Sequence, residues 1–470
     1  MKTYLTIFGV GLLSSSVMAS SYIYQPIGSS TVLGSYGNRH ALSTAGANPA
    51  SSYFMANLQG FRVGFIGPVG IGVEGGGVGD INDKLDELDD IFDEDFEQRI
   101  NIDSIKAQAA VASDPDAFTV AKIDEVLADI NGSLDQSDTI ISDIGQTTYV
   151  KFSTTAQAPF MPIIYKTRRR GVFTLDAGAS LVGRADIIAD ELTLTGVEDL
   201  EAITTASGLN SVDTSNIDIE SDTSLYLKRA SDFRVSLGYS EMVSRSTSSA
   251  LIVGGRLNFH RFSLDQKVTV LTEDEDPSVS YGDFFLGRES VSSNVSLDLG
   301  VILTGRNYQL GASIANVNEP EFDYNSMVSN CSGLPTADQS SCEARLRLSN
   351  KGAIELNETY KMESQVTLDA ALKSKDQHFS LAASYDANPI LDPLGDEYQW
   401  AVVSLSYFSG NWVLPGMRVG VRKNLAGSEL NYYTAGLTFY RRLDFDVAYA
   451  PENDEGNSGA YFSAGYSFVF

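Results

Sequence analysis

Through much of the chain, apolar and polar residues alternate with a period of two. In the last segment Ala460, Phe462, Ala464, Tyr466, Phe468 and Phe470 share one face, and Ser463, Gly465 and Ser467 lie on the other. Val447 and Tyr449 likewise oppose Asp444 and Asp446; Met417, Val419 and Val421 oppose Arg418, Gly420 and Arg422. Phe379, Leu381 and Tyr385 oppose Ser380 and Ser384, while Leu257 and Phe259 oppose Arg256, Asn258 and His260. A period of two places alternate side chains on opposite faces of a strand. Soluble sandwiches alternate too, so length and aromatic placement decide the reading. The segments run to about 10–12 residues, the length a tilted strand needs to cross a hydrocarbon core. Tyr407, Phe408, Trp412, Tyr432, Tyr440 and Tyr461 gather near segment ends, as interfacial girdles require. The expected fold is all-β: a transmembrane antiparallel β-barrel of about 14–16 strands, the even number bacterial barrels use. Sixteen starts fall near residues 62, 148, 171, 232, 249, 262, 291, 306, 345, 362, 377, 398, 416, 430, 442 and 459. That count puts the long segments 273–290 and 317–344 at the end where turns should be short.

The N-terminus sets the compartment. Lys2, the apolar run Tyr4–Leu13 and Val17-Met18-Ala19 read as a secretory signal peptide over residues 1–19. No later stretch of 18 apolar residues occurs, so any span must be a closed barrel, which pairs every backbone group in lipid. The expected location is the outer membrane of a Gram-negative bacterium. Residues 20–57, rich in Gly, Ser and Ala, precede the first strand as an N-terminal plug or hatch, and 58–470 form the barrel. Within it, residues 80–143 change period. Leu85, Leu88, Phe92, Phe96 and Ile100 recur at helical spacing, as do Ile123, Val126, Leu127, Ile130 and Leu134. This predicts an acidic helical hairpin, its stripes packed together and its charged face in water. A second acidic insertion covers 184–222.

Composition narrows the partners. The chain carries a net charge of −28, which excludes nucleic acid, since phosphate binding needs basic patches. Cys331 and Cys342 are the only thiols and are expected to close one disulfide; without nearby histidines they do not complete a zinc shell. No cofactor or metal is expected. Catalytic patterns are missing: neither G-x-S-x-G nor H-E-x-x-H occurs. Gly70-Ile71-Gly72-Val73-Glu74-Gly75 matches a dinucleotide fingerprint but opens no helix, and reads as a glycine-rich strand that lets the plug approach the wall. His40, His260 and His378 are dispersed and read as polar lumen or loop residues. No enzyme activity is expected.

Three stretches resemble known families. Ala41 to Ala50 ends in Asn48-Pro49-Ala50, similar to the hatch of FadL-like outer-membrane transporters. Ser463, Gly465, Phe468 and Phe470 resemble the signal read by the barrel assembly machinery. Gly254–Asn258, Asn316–Tyr324 and Arg418–Ala435 resemble the exported family labelled conjugal transfer protein TraF (the TraF_2 group), over most of the mature chain. The FadL resemblance implies uptake of a small hydrophobic ligand through a plugged barrel with lateral exit into lipid. The plasmid-transfer label implies a role in conjugation; the alternative to transport is a structural, assembly or conjugation-associated role in which the acidic helical insertion engages a partner. Arg256, Arg418, Arg422, Asp444 and Asp446 are the lumen candidates, as ligand-facing groups or as bonds between wall and plug.

Overall fold

The computed structural model describes residues 26–56, 60–77, 79, 81–92, 100–167, 171–212, 217–271, 284, 285, 287, 291–408, 411 and 413–468. The signal peptide, Phe96, Trp412 and Phe470 lie outside them. Fourteen antiparallel strands close on themselves. They are β1 (Phe61–Gly76), β2 (Tyr149–Gln157, continued by Ile163–Lys166), β3 (Val172–Ile188), β4 (Ser224–Arg245), β5 (Ser249–Val270), β6 (Ser292–Gly305) and β7 (Tyr308–Ala315). Then come β8 (Gln365–Lys373), β9 (Phe379–Asp386), β10 (Trp400–Tyr407), β11 (Gly416–Asn424), β12 (Asn431–Phe439), β13 (Leu443–Ala450) and β14 (Ser458–Phe468). Each strand pairs with its neighbours in sequence, and β1 pairs with β14, Ile71 opposite Phe462. Closure leaves no free edge, the condition for β-structure in lipid.

The wall is apolar outside and polar inside. Ile71, Leu237, Leu257, Leu372, Val403, Val419 and Phe462 are exposed on its outer face. Their strand neighbours Glu74, Arg234, Asn258, His260, Ser404 and Arg418 are buried in the lumen. A soluble protein inverts this order, because water rather than hydrocarbon meets its surface. No helix of the described residues is long and apolar enough to cross a membrane.

Two of the sixteen expected strands do not exist as such. The start at 262 falls inside β5, which runs unbroken for 22 residues. Its lower half points Leu257 and Phe259 outward, whereas the upper half turns Phe262, Leu264 and Val268 inward onto loop residues Phe322, Tyr324, Tyr360 and Met327. The apolar phase flips where the strand leaves the bilayer, and a flip of phase imitates a new strand. The start at 345 falls in a helix, Thr336–Asn350, which buries Cys342, Ala344 and Leu348. Removing this pair resolves the conflict over loops. All the long connections, 77–148, 189–223, 271–291, 316–364 and 387–399, now leave from one end. The short turns occupy the other.

The acidic insertion is built from Ile81–Phe92, Ile102–Ala109 and Pro115–Thr147. The last has 33 residues and spans about 50 Å. Asp114 starts it by accepting from the Ala117 amide at 3.1 Å, with Pro115 at the first position. Near the barrel Ile140 and Ile144 pack on Ile81, Leu85 and Leu88. Farther out Ile123, Ile130 and Leu134 pack on Leu200, Ile203 and Leu209 of the second insertion. The helical stripe therefore shares its core with another loop, beyond the hairpin partner expected from the periodicity.

Candidate functional site

The segment 26–56 lies inside the barrel and is almost wholly buried. Asn48 organises the turn that packs on the wall. The Asn48 side-chain oxygen accepts from the Ala50 amide at 3.0 Å, and Pro49 begins the short helical turn Pro49–Ser51. The Asn48 amide donates to the Ala312 carbonyl of β7 at 3.3 Å. Close approach to the wall depends on two glycines. A Cβ on Gly254 would stand 2.6 Å from the Ala50 nitrogen, and one on Gly300 would stand 2.2 Å from Asn48 Oδ1. The glycine-rich stretch of β1 serves another purpose than expected: the space at Gly72 is filled by the Tyr461 ring and Ser153, not by the plug.

The lumen candidates divide into two groups. Arg256 joins wall to plug: it pairs with Asp298 on β6 at 2.8 Å and donates to the Gly46 carbonyl at 2.6 Å. Arg422 reaches the Ser30 and Thr31 carbonyls at 3.5 and 3.4 Å and lies 4.4 Å over the Trp400 ring. Arg418, Asp444 and Asp446 instead form a cluster within the wall. Arg418 grips Asp446 through two bonds of 2.6 and 2.7 Å, crossing β12 at Gly436. Arg62, not singled out from the sequence, donates to the plug carbonyls of Arg39 and Met55 at 2.8 and 3.2 Å. Gln309 donates to Gly37 at 3.2 Å. The alternation marks all these residues as inward-facing, but many inward polar residues carry the same mark.

Behind the plug segment Ala45–Ser52 the wall is interrupted. β2 breaks between Gln157 and Ile163, where Met161-Pro162 is a cis peptide. Opposite, β1 shifts register against β14 between Gly64 and Val69 and contains Pro68, which has no amide to donate. A small pocket inside the break is bounded by Ala45, Pro49, Ser52, Pro162, Asp176 and Arg256. A larger cavity of about 90 Å³ lies above the plug, against Ser30, Gly34, Arg234, His260, Trp400 and Arg422.

One constellation has the order of a hydrolytic triad. His260 meets Asp232 through Nδ1 at 2.9 Å and Ser296 through Nε2 at 3.0 Å. An acyl-transfer site also needs donors aimed at a developing oxyanion. The backbone amides flanking Ser296 are already taken, Val295 by the Asn294 side chain and Leu297 by Asn318, each at 2.9 Å. Ser296 is fully buried and its Oγ accepts from Asn258 at 3.0 Å. The three residues form part of a cross-strand network that also takes in Asn258 and Asp298. Among the described residues no three His, Cys, Asp or Glu side chains converge as metal ligands.

The remaining sites lie apart. Ser463 faces the lumen on β14, Gly465 approaches Pro68, and Phe468 ends the strand opposite Val63. Cys331 and Cys342 are bonded, tying the loop after β7 to the helix Thr336–Asn350.

A closed wall with an apolar outer face and a buried internal segment defines an outer-membrane β-barrel with a plug. Residues 45–386 match the family described as F plasmid transfer operon, TraF, protein, and the chain belongs to that family. No curated protein matches it. Among solved structures it is similar to a deletion mutant of the TodX monoaromatic hydrocarbon channel, at 11% identity and a TM-score of 0.45 over 96% of this chain and 100% of that one. A Pseudomonas aeruginosa FadL homologue gives 10%, 0.43, 97% and 100% on the same measures. The P. putida toluene transporter TodX gives 12%, 0.37, 96% and 100%.

Proposed function

We propose that this barrel carries small hydrophobic compounds across the outer membrane, with the plug as gate and the break in β2 as the exit into lipid. The observation that carries the reading is positional: the plug residues Ala45, Gly46, Pro49 and Ser52 share a pocket with Pro162 of the interrupted wall. An apolar solute leaving there avoids water, and the missing ladder bonds lower the local resistance to opening. The long-loop end would face outward and the short turns the periplasm, after removal of residues 1–19 by signal peptidase and insertion guided by the C-terminal strand. The test is a reversible lock. Asn48→Cys with Gly300→Cys places two thiols together, because a Cβ at position 300 would stand 3.1 Å from the Asn48 Cγ. Uptake of an apolar fluorescent dye by cells should fall to the barrel-free level when the pair is oxidised and return on reduction. Uptake indifferent to the lock, or absent in both states, rejects gating by the plug.

A second reading, attachment to a partner in conjugation, draws on the family description and on one feature. The helical body has its own apolar core and presents Asp103, Asp116, Asp124, Asp129 and Asp135 to solvent.

A further inference from the structure

The connection between β9 and β10 does not rise away from the barrel. It forms a short hairpin, Ile390–Leu391 against Glu397–Tyr398, that turns at Gly395 (φ 94°) and descends into the mouth. Ile390, Asp392, Leu394 and Tyr398 are all buried. Their anchor stands on the far wall, about halfway round the ring of strands. Lys151 of β2 donates to Asp392 at 2.5 Å, to Asp396 at 2.6 Å and to the Tyr398 hydroxyl at 2.8 Å. Arg184 of β3 also pairs with Asp396, and the Tyr324 hydroxyl donates to the Pro393 carbonyl. The hairpin is thus a strap across the lumen. It belongs to a separate two-stranded sheet and shares no ladder with the barrel, so it can lift without unpairing the wall.

Beneath the strap lies an apolar chamber. Ile390 and Tyr398 sit among Trp400, Tyr432 and Tyr461 of the wall and Leu430 of the turn before β12. The buried Trp400 indole N–H has no acceptor among the described residues. The cavity of about 90 Å³ touches Trp400 from below and continues to Ser30 and Gly34 of the plug. We propose that this chamber is the binding site of an apolar compound the size of one aromatic ring, bearing a hydrogen-bond acceptor for Trp400. In the closed state Ile390 and Tyr398 are its built-in occupants, and Lys151 is the catch. The chemistry follows from what fills the space now: one branched aliphatic and one phenol side chain against aromatic walls. Displacement then requires release of the charges on Asp392 and Asp396, which in a dry site are held only while both partners stay. The ligand class rests on the transport reading above; the strap and its catch do not.

Trp400 reports on the strap directly. In the purified, folded barrel with Trp412→Phe, the sole remaining indole is Trp400. Acrylamide quenching of its fluorescence should be weak in that parent. Lys151→Met should raise the quenching constant about threefold by shifting population to the open strap, and Lys151→Arg should stay near the parent. Quenching of Trp400 by nitrobenzene, a single ring carrying acceptor oxygens, should rise with it. Asp396→Asn, a loop change that leaves the wall intact, should move both readings the same way. If both variants migrate as folded barrels and neither reading changes, the strap is fixed and the proposal fails. Nitrobenzene quenching that rises in barrels whose cells take up no apolar dye would sink the transport reading and leave this site standing.

Discussion

Glycine and arginine act as a unit in the wall of this barrel. Gly436 stands between Arg418 and Asp446 in register, and a Cβ there would lie 2.2 Å from the Asp446 carboxylate and 2.5 Å from the Arg418 Nε. The missing side chain lets a guanidinium on β11 reach a carboxylate two strands away. Gly436→Ala should push the pair apart and leave two buried charges poorly matched, at about 3–5 kcal/mol. The expected outcome is a folded barrel that loses its heat-modifiable migration at lower temperature; unchanged migration would show that the pair adds little. Alternation alone made Arg418, Arg422, Asp444 and Asp446 legible as inward residues. It did not separate Arg256 and Arg422, which hold the plug, from Arg418, which holds only the wall. Nor did it single out Lys151 or Arg62 among the inward polar residues. Partner choice across a lumen depends on strand order and register, which a linear pattern does not contain.

Elements were legible where one environment covers a whole segment. β8 to β14 each cross the bilayer once, and their period of two persists from end to end. β5 changes environment midway, from lipid outside to packed loops inside, and its pattern changes with it. Thr336–Asn350 has alternating Ala344, Leu346 and Leu348 yet folds as a helix, because Ala344 and Leu348 are also one helical turn apart and both bury. The two acidic insertions meet at Asp138, whose carboxylate accepts from the Leu192 amide at 2.7 Å. Partial burial, then the nearby charges of Glu191, Asp135 and Asp190, push its pKa above the ordinary carboxylate value, against that hydrogen bond. A raised acid favours the folded state at low pH and loses that contribution as pH rises through its folded value. Asp138→Asn keeps the acceptor and removes the repulsion. Thermal unfolding of the helical body at pH 7 should therefore occur at the same temperature or higher, with its gain vanishing at acid pH. A lower temperature would mean that the charge itself is needed.

At the scale of the molecule the lumen is closed twice, from below by residues 26–56 and from above by the strap Ile390–Tyr398. Between them the cavity measures about 90 Å³, too small for an open channel, so the transport proposed above demands movement of both. The helical body stands outside this path. Its ends come together, with the space at Gly77 lying 2.9 Å from the Thr147 backbone and Gly76 paired with Tyr149. Replacing residues 82–146 by a short turn should leave a heat-modifiable barrel with full dye uptake. Loss of uptake with the barrel intact would place the helices in transport; loss of conjugation alone would support the partner reading.

Strand alternation, the absence of a long apolar helix and the acidic helical stripe were set by the order of residues, because lipid and water sort side chains locally. Strand number, the choice of plug contacts and the strap across the mouth were decided only on closure. Closing the ring brings Lys151 to Asp392 and Arg422 to Ser30. Such contacts between residues hundreds of positions apart exist only once every strand has found its register.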